Sequence, residues 1–215
     1  MPIPAWSEEP PMSRSFLPVL LALLCATPSW SADETPAVAA LKKALAEQVN
    51  TNALAGDKVK AFAVKELIPL CTDAVWITEV KAQNAKKVTL DEIKKIDTEW
   101  QAAESELPIQ KQKLSNACAE EVKAVAKRLS VLREIFVMDD QGANVGQNGL
   151  TSDYWQGDED KWQKSFKESK GGVDVGKVKF DKSANTNLQQ VSLPIIADDG
   201  TVIGAVTFGI DIGAL

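Results

Sequence analysis

Histidine is absent from the 215 residues. That excludes a serine triad built on imidazole and any histidine-ligated zinc centre. No G-x-S-x-G elbow, phosphate loop or other cofactor motif occurs. Arginine is missing from Asp139 to Leu215, where 7 lysines face 12 acidic residues, whereas Ala32 to Met138 balances 16 basic against 16 acidic side chains. The negative field of the C-terminal part argues against nucleic acid or anionic lipid as a partner, because both are held by basic surfaces. Also lacking is an apolar run of about 20 residues, the length that spans a bilayer. No permanent membrane anchor is expected.

Acid pairs are plentiful, so a two-carboxylate hydrolase using Asp153 and Asp158 stays open on residue types alone. The expectation is nevertheless that the chain is not an enzyme. Asp139, Asp140, Asp158, Glu159 and Asp160 lack the alternating spacing around a central glycine of a calcium loop. No metal site is expected.

What is present begins with an export signal. In "MSRSFLPVLLALLCATPSWSADE", Arg14 opens a short basic region, Phe16 to Ala26 form an apolar run, and Ser29 and Ser31 are small residues spaced for cleavage. Residues 1–31 are therefore expected to be a signal peptide, with translation starting at Met12 and the mature chain at Ala32. A lipoprotein reading of Cys25 is the alternative, although bulky Leu24 precedes it. Without Cys25 two cysteines remain, Cys71 and Cys118. In an oxidising compartment their natural reading is a disulfide, and the alternative is two buried thiols.

The first half has helical periodicity. Pro36 opens a segment with Val38, Leu41, Leu45 and Val49 on one face. A helix is expected from Asp57 towards Cys71, kinked or broken near Pro69. Thr89 and Glu92 make a capping box for a helix starting at Leu90, with Ile93, Ile96 and Trp100 behind it. One further helix is expected over Pro108 to Leu129. Trp76 and Trp100 read as core residues.

At Leu132 the period changes. "LREIFVMDDQG", "VGKVKF" and "QQVSLPIIADDGTVIGAVTFGID" read as strands, and Asp198, Asp199 and Gly200 form a hairpin turn. The last strand is apolar on both faces, Val202, Val206, Phe208 and Ile210 against Ile203, Ala205, Thr207 and Asp211, as in a central strand. Between the strands, "NGLTSDYWQGDEDKWQKSF" gathers aromatic and acidic side chains, and a helix there places Asp158, Trp162 and Phe166 on one face.

"EIFVMDDQGANVG", "SDYWQGDEDKW" and "VSLPIIADDGTVIGAVTFGID" together resemble the extracytoplasmic PAS-like sensor domains called Cache or PDC domains, most of all their free-standing periplasmic members. The family's last hairpin reads P-x-x-D-x-x-G-x-x-I-G. Here Pro194, Gly200, Ile203 and Gly204 fall at its positions, and Asp198 stands one residue off the strict spacing. The resemblance implies an α+β fold with N-terminal long helices over residues 32–130, packed on a PAS-like five-stranded antiparallel sheet over residues 131–215. It also implies a ligand cavity between the sheet and the loops and helix after the second strand. Asp153, Tyr154, Trp155, Asp158 and Trp162 are the candidate lining, joined by Asp211. With acids and aromatics at hand, no arginine from Asp139 onward, and only Arg128 and Arg133 just before the sheet, a cationic or neutral polar small molecule is expected. Many such sensors continue into a membrane helix and an output module. This chain ends after the last strand, so a membrane sensor kinase or another envelope partner is expected to carry its signal. The competing reading is a ligand-free structural or interaction module of an envelope complex, with the aromatics as a plug.

Overall fold

The computed structural model describes residues 1–2, 34–181 and 185–215. The export signal, the cleavage site and Cys25 lie outside the described residues. The described residues from 34 onward lie in one compact unit, which contains everything that follows.

Helix α1 (Pro36–Thr51) starts at Thr35, whose hydroxyl accepts the Val38 N–H, and it buries Val38, Leu45 and Val49. Helix α2 (Asp57–Phe62) runs into a π turn over Ala63–Leu67 and a 3₁₀ turn over Ile68–Thr72. Pro69 lies in the second of these, where the missing N–H and the ring disfavour a regular helix. Asp73 then caps α3 (Ala74–Asn84) by accepting from Val75 and Trp76 N–H. Trp76 is fully buried, as expected of a core residue. The capping box of Thr89 and Glu92 opens α4 (Leu90–Gln101).

The single helix expected over Pro108 to Leu129 is two helices, α5 (Pro108–Ser115) and α6 (Ala117–Arg128). Asn116 divides them. Its backbone is extended, its side-chain oxygen accepts the Ala119 N–H to cap α6, and its amide nitrogen donates to Val145 O at 2.7 Å. An asparagine that caps one helix cannot also continue the preceding one.

The sheet contains β1 (Leu132–Met138), β2 (Asn144–Gln147), β3 (Asp174–Val175), β4 (Lys179–Asp181), β5 (Thr186–Ile196) and β6 (Val202–Asp211). All pairings are antiparallel in the order β2-β1-β6-β5-β3, with β4 also on β5. The sheet is thus five strands wide with six strands, because "VGKVKF" divides. Val175 faces Val191 and Lys179 faces Leu188, so three residues of one edge oppose two of β5 and the ladder is interrupted. The hairpin turn lies where the sequence places it, with Gly200 at φ +88° and its N–H bonded to Ala197 O. Between β1 and β5, β6 is buried almost throughout, as its two apolar faces require.

One face of the sheet carries Phe208 against Trp76, ring centroids 6.2 Å apart, and brings Gly204 against Val80 of α3. A short helix α7 (Asp160–Phe166) packs on β5 and β6. Lys161 of α7 reaches over Phe136, which projects from the opposite face.

The expected disulfide is not formed; Cys71 and Cys118 are free, buried thiols. The turn holding Cys71 packs on β5 and the helix holding Cys118 packs on β2. Two strands lie between, so the supporting strands are about 14 Å apart, whereas a bridge needs Cα atoms within about 7 Å. Burial pushes the Cys71 thiol up to about 12 and raises Cys118 as well.

Candidate functional site

The loop from Thr151 to Gly157 is held from outside by α4. Asp97 Oδ1 accepts the N–H groups of Tyr154 and Trp155 at 2.8 and 3.0 Å, and Trp100 Nε1 donates to Thr151 O at 2.9 Å. Tyr154 packs on Trp100 with centroids 5.6 Å apart, in a small apolar cluster with Ile93 and Ala143 separate from the main core. Trp155 Nε1 donates to Gln141 O at 2.7 Å while Lys94 lies over its ring. Gly157 lies against that indole and Gln141 O, and a side chain there would collide with both.

The other predicted residues are placed differently. Asp153 receives Ser152 Oγ on its carboxylate, and its carbonyl collects Asn144 Nδ2, Thr151 Oγ1 and Gln156 Nε2. Trp162 stacks on Phe166 at 5.0 Å and donates Nε1–H to Asp139 O at 3.0 Å. Asp158 does not share their face: α7 begins at Asp160 with Glu159 as its N-cap, which leaves Asp158 exposed before the helix. Asp211, at the end of β6, accepts from Thr186 Oγ1 at 2.8 Å and from both Nε and Nη2 of Arg133 at 3.1 and 3.0 Å. The Thr186 hydroxyl, with help from Arg133, holds this carboxylate below its usual range. The structure brings Asp153, Tyr154 and Trp155 into one loop and places Asp211 at a strand end, clamped to Arg133.

A row of residues that the motif reading missed lies on the Phe136 face of the sheet. The register sets Glu134, Gly209 and Gln190 side by side, then Phe136, Thr207 and Ser192. Gln147 flanks Phe136 on β2. Gln190 Nε2 donates to Glu134 Oε2 at 2.8 Å across Gly209, whose missing side chain leaves room for that contact. Ser192 and Thr207 hydroxyls bond to each other at 2.9 Å, fully buried. From the loop side, Lys161 pairs with Glu159 at 2.8 Å, donates to Gln156 Oε1 at 3.2 Å and reaches over Phe136.

This face opens into a cleft of about 540 Å³ lined by Glu134, Lys161, Lys177, Lys179, Phe180 and Gln190 among others. Inside the same face, Asn144 Oδ1 and Gln147 Nε2 are buried without a partner among the described residues. An unpaired buried amide costs free energy, about 1–3 kcal/mol for each such group, unless water or a ligand meets it. A signal for these residues was legible in the alternation of β5, where Leu188, Gln190, Ser192 and Pro194 share a face that is half polar. Among the described residues, no group of three or more His, Cys, Asp or Glu side chains is arranged to hold a metal ion.

No family model matches the chain, and comparison with curated proteins finds no match. Among solved structures it is similar to the ligand-binding domain of the Campylobacter jejuni chemoreceptor Tlp3 in complex with 4-methylisoleucine, at 14% identity and TM-score 0.35. That similarity covers 83% of this chain and 61% of the other. It is also similar to the sensor domain of the V. cholerae histidine kinase DctB, at 12% identity and TM-score 0.40, over 82% of this chain and 58% of that one. The E. coli DcuS sensor domain is similar at 17% identity and TM-score 0.34, over 58% of this chain and 89% of the other. The chain thus spans about three fifths of the first two structures. All three are sensory or ligand-binding domains by name.

Proposed function

We propose that this chain is an exported single-Cache sensor domain that binds a small polar molecule on the Phe136 face of its sheet and reports occupancy through a partner. The observation that carries the reading is the buried polar row under α7, open to a cleft in which Glu134, Lys161 and Gln190 converge. A sheet face built only for packing gains nothing from a glutamate, a lysine and a hydroxyl pair, because each must be desolvated. A concave site with a few convergent polar groups is what a small ligand requires. Carboxylate and ammonium groups both line the cleft, which favours a neutral polar or zwitterionic molecule, with a cation next in order. A membrane sensor kinase or another envelope protein is the partner that this role calls for. No helix among the described residues is long and apolar enough to cross a membrane.

Amines, amino acids and small carboxylates, screened by thermal shift and calorimetry, test the reading. At least one compound is expected to raise the melting temperature, since a ligand selective for the native state stabilises it. Affinity should fall at least tenfold in Glu134→Gln or Lys161→Ala. Binding unaffected by both substitutions would place the site elsewhere. A complete absence of stabilising compounds, with no metabolite released on denaturing protein from its native source, would favour the ligand-free module. That second reading draws on the loop, where the Trp155 indole and the Asp153 carbonyl are already bonded within the protein.

A further inference from the structure

Away from the cleft, Lys113, Gln83 and Asp139 form a second buried polar group. Lys113 of α5 is 5% exposed and donates to Gln83 Oε1 at 2.5 Å. The nitrogen of that same amide donates to Asp139 Oδ2 at 2.8 Å and approaches the carbonyls of Ala143 and Asn144 at 3.4 and 3.3 Å. With its oxygen towards a cation and its nitrogen towards an anion, the glutamine is oriented by both charges. Turned over, it would meet repulsion at each end. One amide therefore transmits an ion pair whose members do not touch.

Asp139 is the point where this chain meets the rest of the fold. Its Oδ1 accepts the N–H groups of Gln141 and Ala143, both at 2.9 Å, and so closes the turn between β1 and β2. Its backbone oxygen takes the Trp162 indole N–H, which anchors α7. Three hydrogen bonds, Lys113 to Gln83, Gln83 to Asp139 and the Trp162 indole to Asp139 O, connect Lys113 to the helix that covers the sheet.

We propose that Lys113, Gln83 and Asp139 form a proton-responsive latch: while Lys113 and Asp139 are both charged the Gln83 amide is held between them and the turn and α7 are clamped, and deprotonation of Lys113, which stays buried in both states, frees that amide and loosens the Trp162 anchor even as the fold as a whole gains stability. This goes beyond ligand binding and does not depend on it. The groups facing the ammonium are Glu79 on α3, Lys86 in the turn after it, Cys118 on α6, Asp139, and Tyr154, whose ring centroid is 5.8 Å away. Burial acts most strongly and, with Lys86, lowers Lys113 to about 8, against the pull of Asp139, Cys118 and Glu79. Burial raises Asp139, and it raises Asp140 together with the charge of Asp139. The phenol of Tyr154 and the thiol of Cys118 are pushed upward by burial, so neither titrates ahead of Lys113.

The test follows the Trp162 indole N–H by NMR between pH 6.5 and 9.5 in ¹³C-lysine-labelled full-length protein, with Trp162→Phe assigning the signal. A step near pH 8 is expected in the indole shift, with the same midpoint as the Lys113 Cε signal identified by its contact with the Tyr154 ring. The step should vanish in Lys113→Met, and in Lys113→Gln, which removes the titrating charge while keeping a hydrogen-bond donor. No step in the wild type, a midpoint different from that of Lys113, or a step that persists in whichever variant folds would overturn the latch. If neither variant folds, agreement or disagreement of the two wild-type midpoints decides.

Discussion

Burial strips from Lys113 most of the hydration that an ammonium group has in water, and Gln83 returns one hydrogen bond. The folded chain therefore binds this proton less tightly than the unfolded chain, at about 8 instead of 10.5. Below about 8 both states hold the proton and the cost of burying the charge is fully present. Between the two values the unfolded state binds more protons, so stability rises with pH, by at most about 3 kcal/mol over the whole window. Urea unfolding of wild type and Lys113→Met at pH 7.5 and pH 10 measures this. The difference between them should move in favour of the wild type by about 2 kcal/mol, and an unchanged difference would show that the charge carries no such cost. Residue types alone did not reveal this: Lys113 follows Lys111 in an ordinary polar stretch, and only the crossing of α5 over β2 buries it.

At the scale of elements, α4 is the loosest connection. It joins the molecule through the small cluster of Ile93, Trp100, Ala143 and Tyr154, and through Asp97, whose carboxylate holds the 151–157 loop by two N–H groups. Asp97→Ala leaves both donors without that acceptor, and lost hydrogen bonds to a charged group are worth about 1.5–3 kcal/mol. Amide exchange at Tyr154 and Trp155 and along α4 is expected to accelerate at least tenfold, while β5 and β6 keep their protection. Uniform acceleration across the sheet would mean that α4 belongs to the same cooperative unit as the core. Much of the element order was legible. The Thr89 and Glu92 box, the Gly200 turn and the break near Pro69 are each set by local chemistry. The division at Asn116 and the interrupted ladder at Gly176 were not, because each depends on a partner far along the chain: Val145 O for Asn116, and Gln190 O for the Gly176 N–H.

For the whole molecule, export is the prediction that follows from sequence chemistry alone. Protein recovered from the periplasm is expected to begin at Ala32, because Ser29 and Ser31 follow the apolar run. Intact mass checks it, and an uncleaved N-terminus would count against the cleavable signal peptide. The free thiols bear on this scale as well. Without a bridge, the helices are held to the sheet by apolar contacts such as Trp76 on Phe208 and by the close approach of α6 to β2 at Gly146, where a side chain would meet Cys118.

The antiparallel sheet as a whole was what the family resemblance implied; composition and periodicity determined that helices come first and strands follow, that β6 is central and that no histidine chemistry operates. These are properties of neighbours three or four residues apart, or two apart in a strand, and such spacings can be read along one chain. Tertiary structure alone decided where polar groups meet. The aromatic loop turned towards α4, the two cysteines fell on a turn and a helix that pack on strands too far apart for a bridge, and Glu134, Gln190 and Lys161 converged from β1, β5 and α7. Strand register carries that information, because it sets residues more than fifty positions apart side by side, and no local pattern along the chain encodes the pairing.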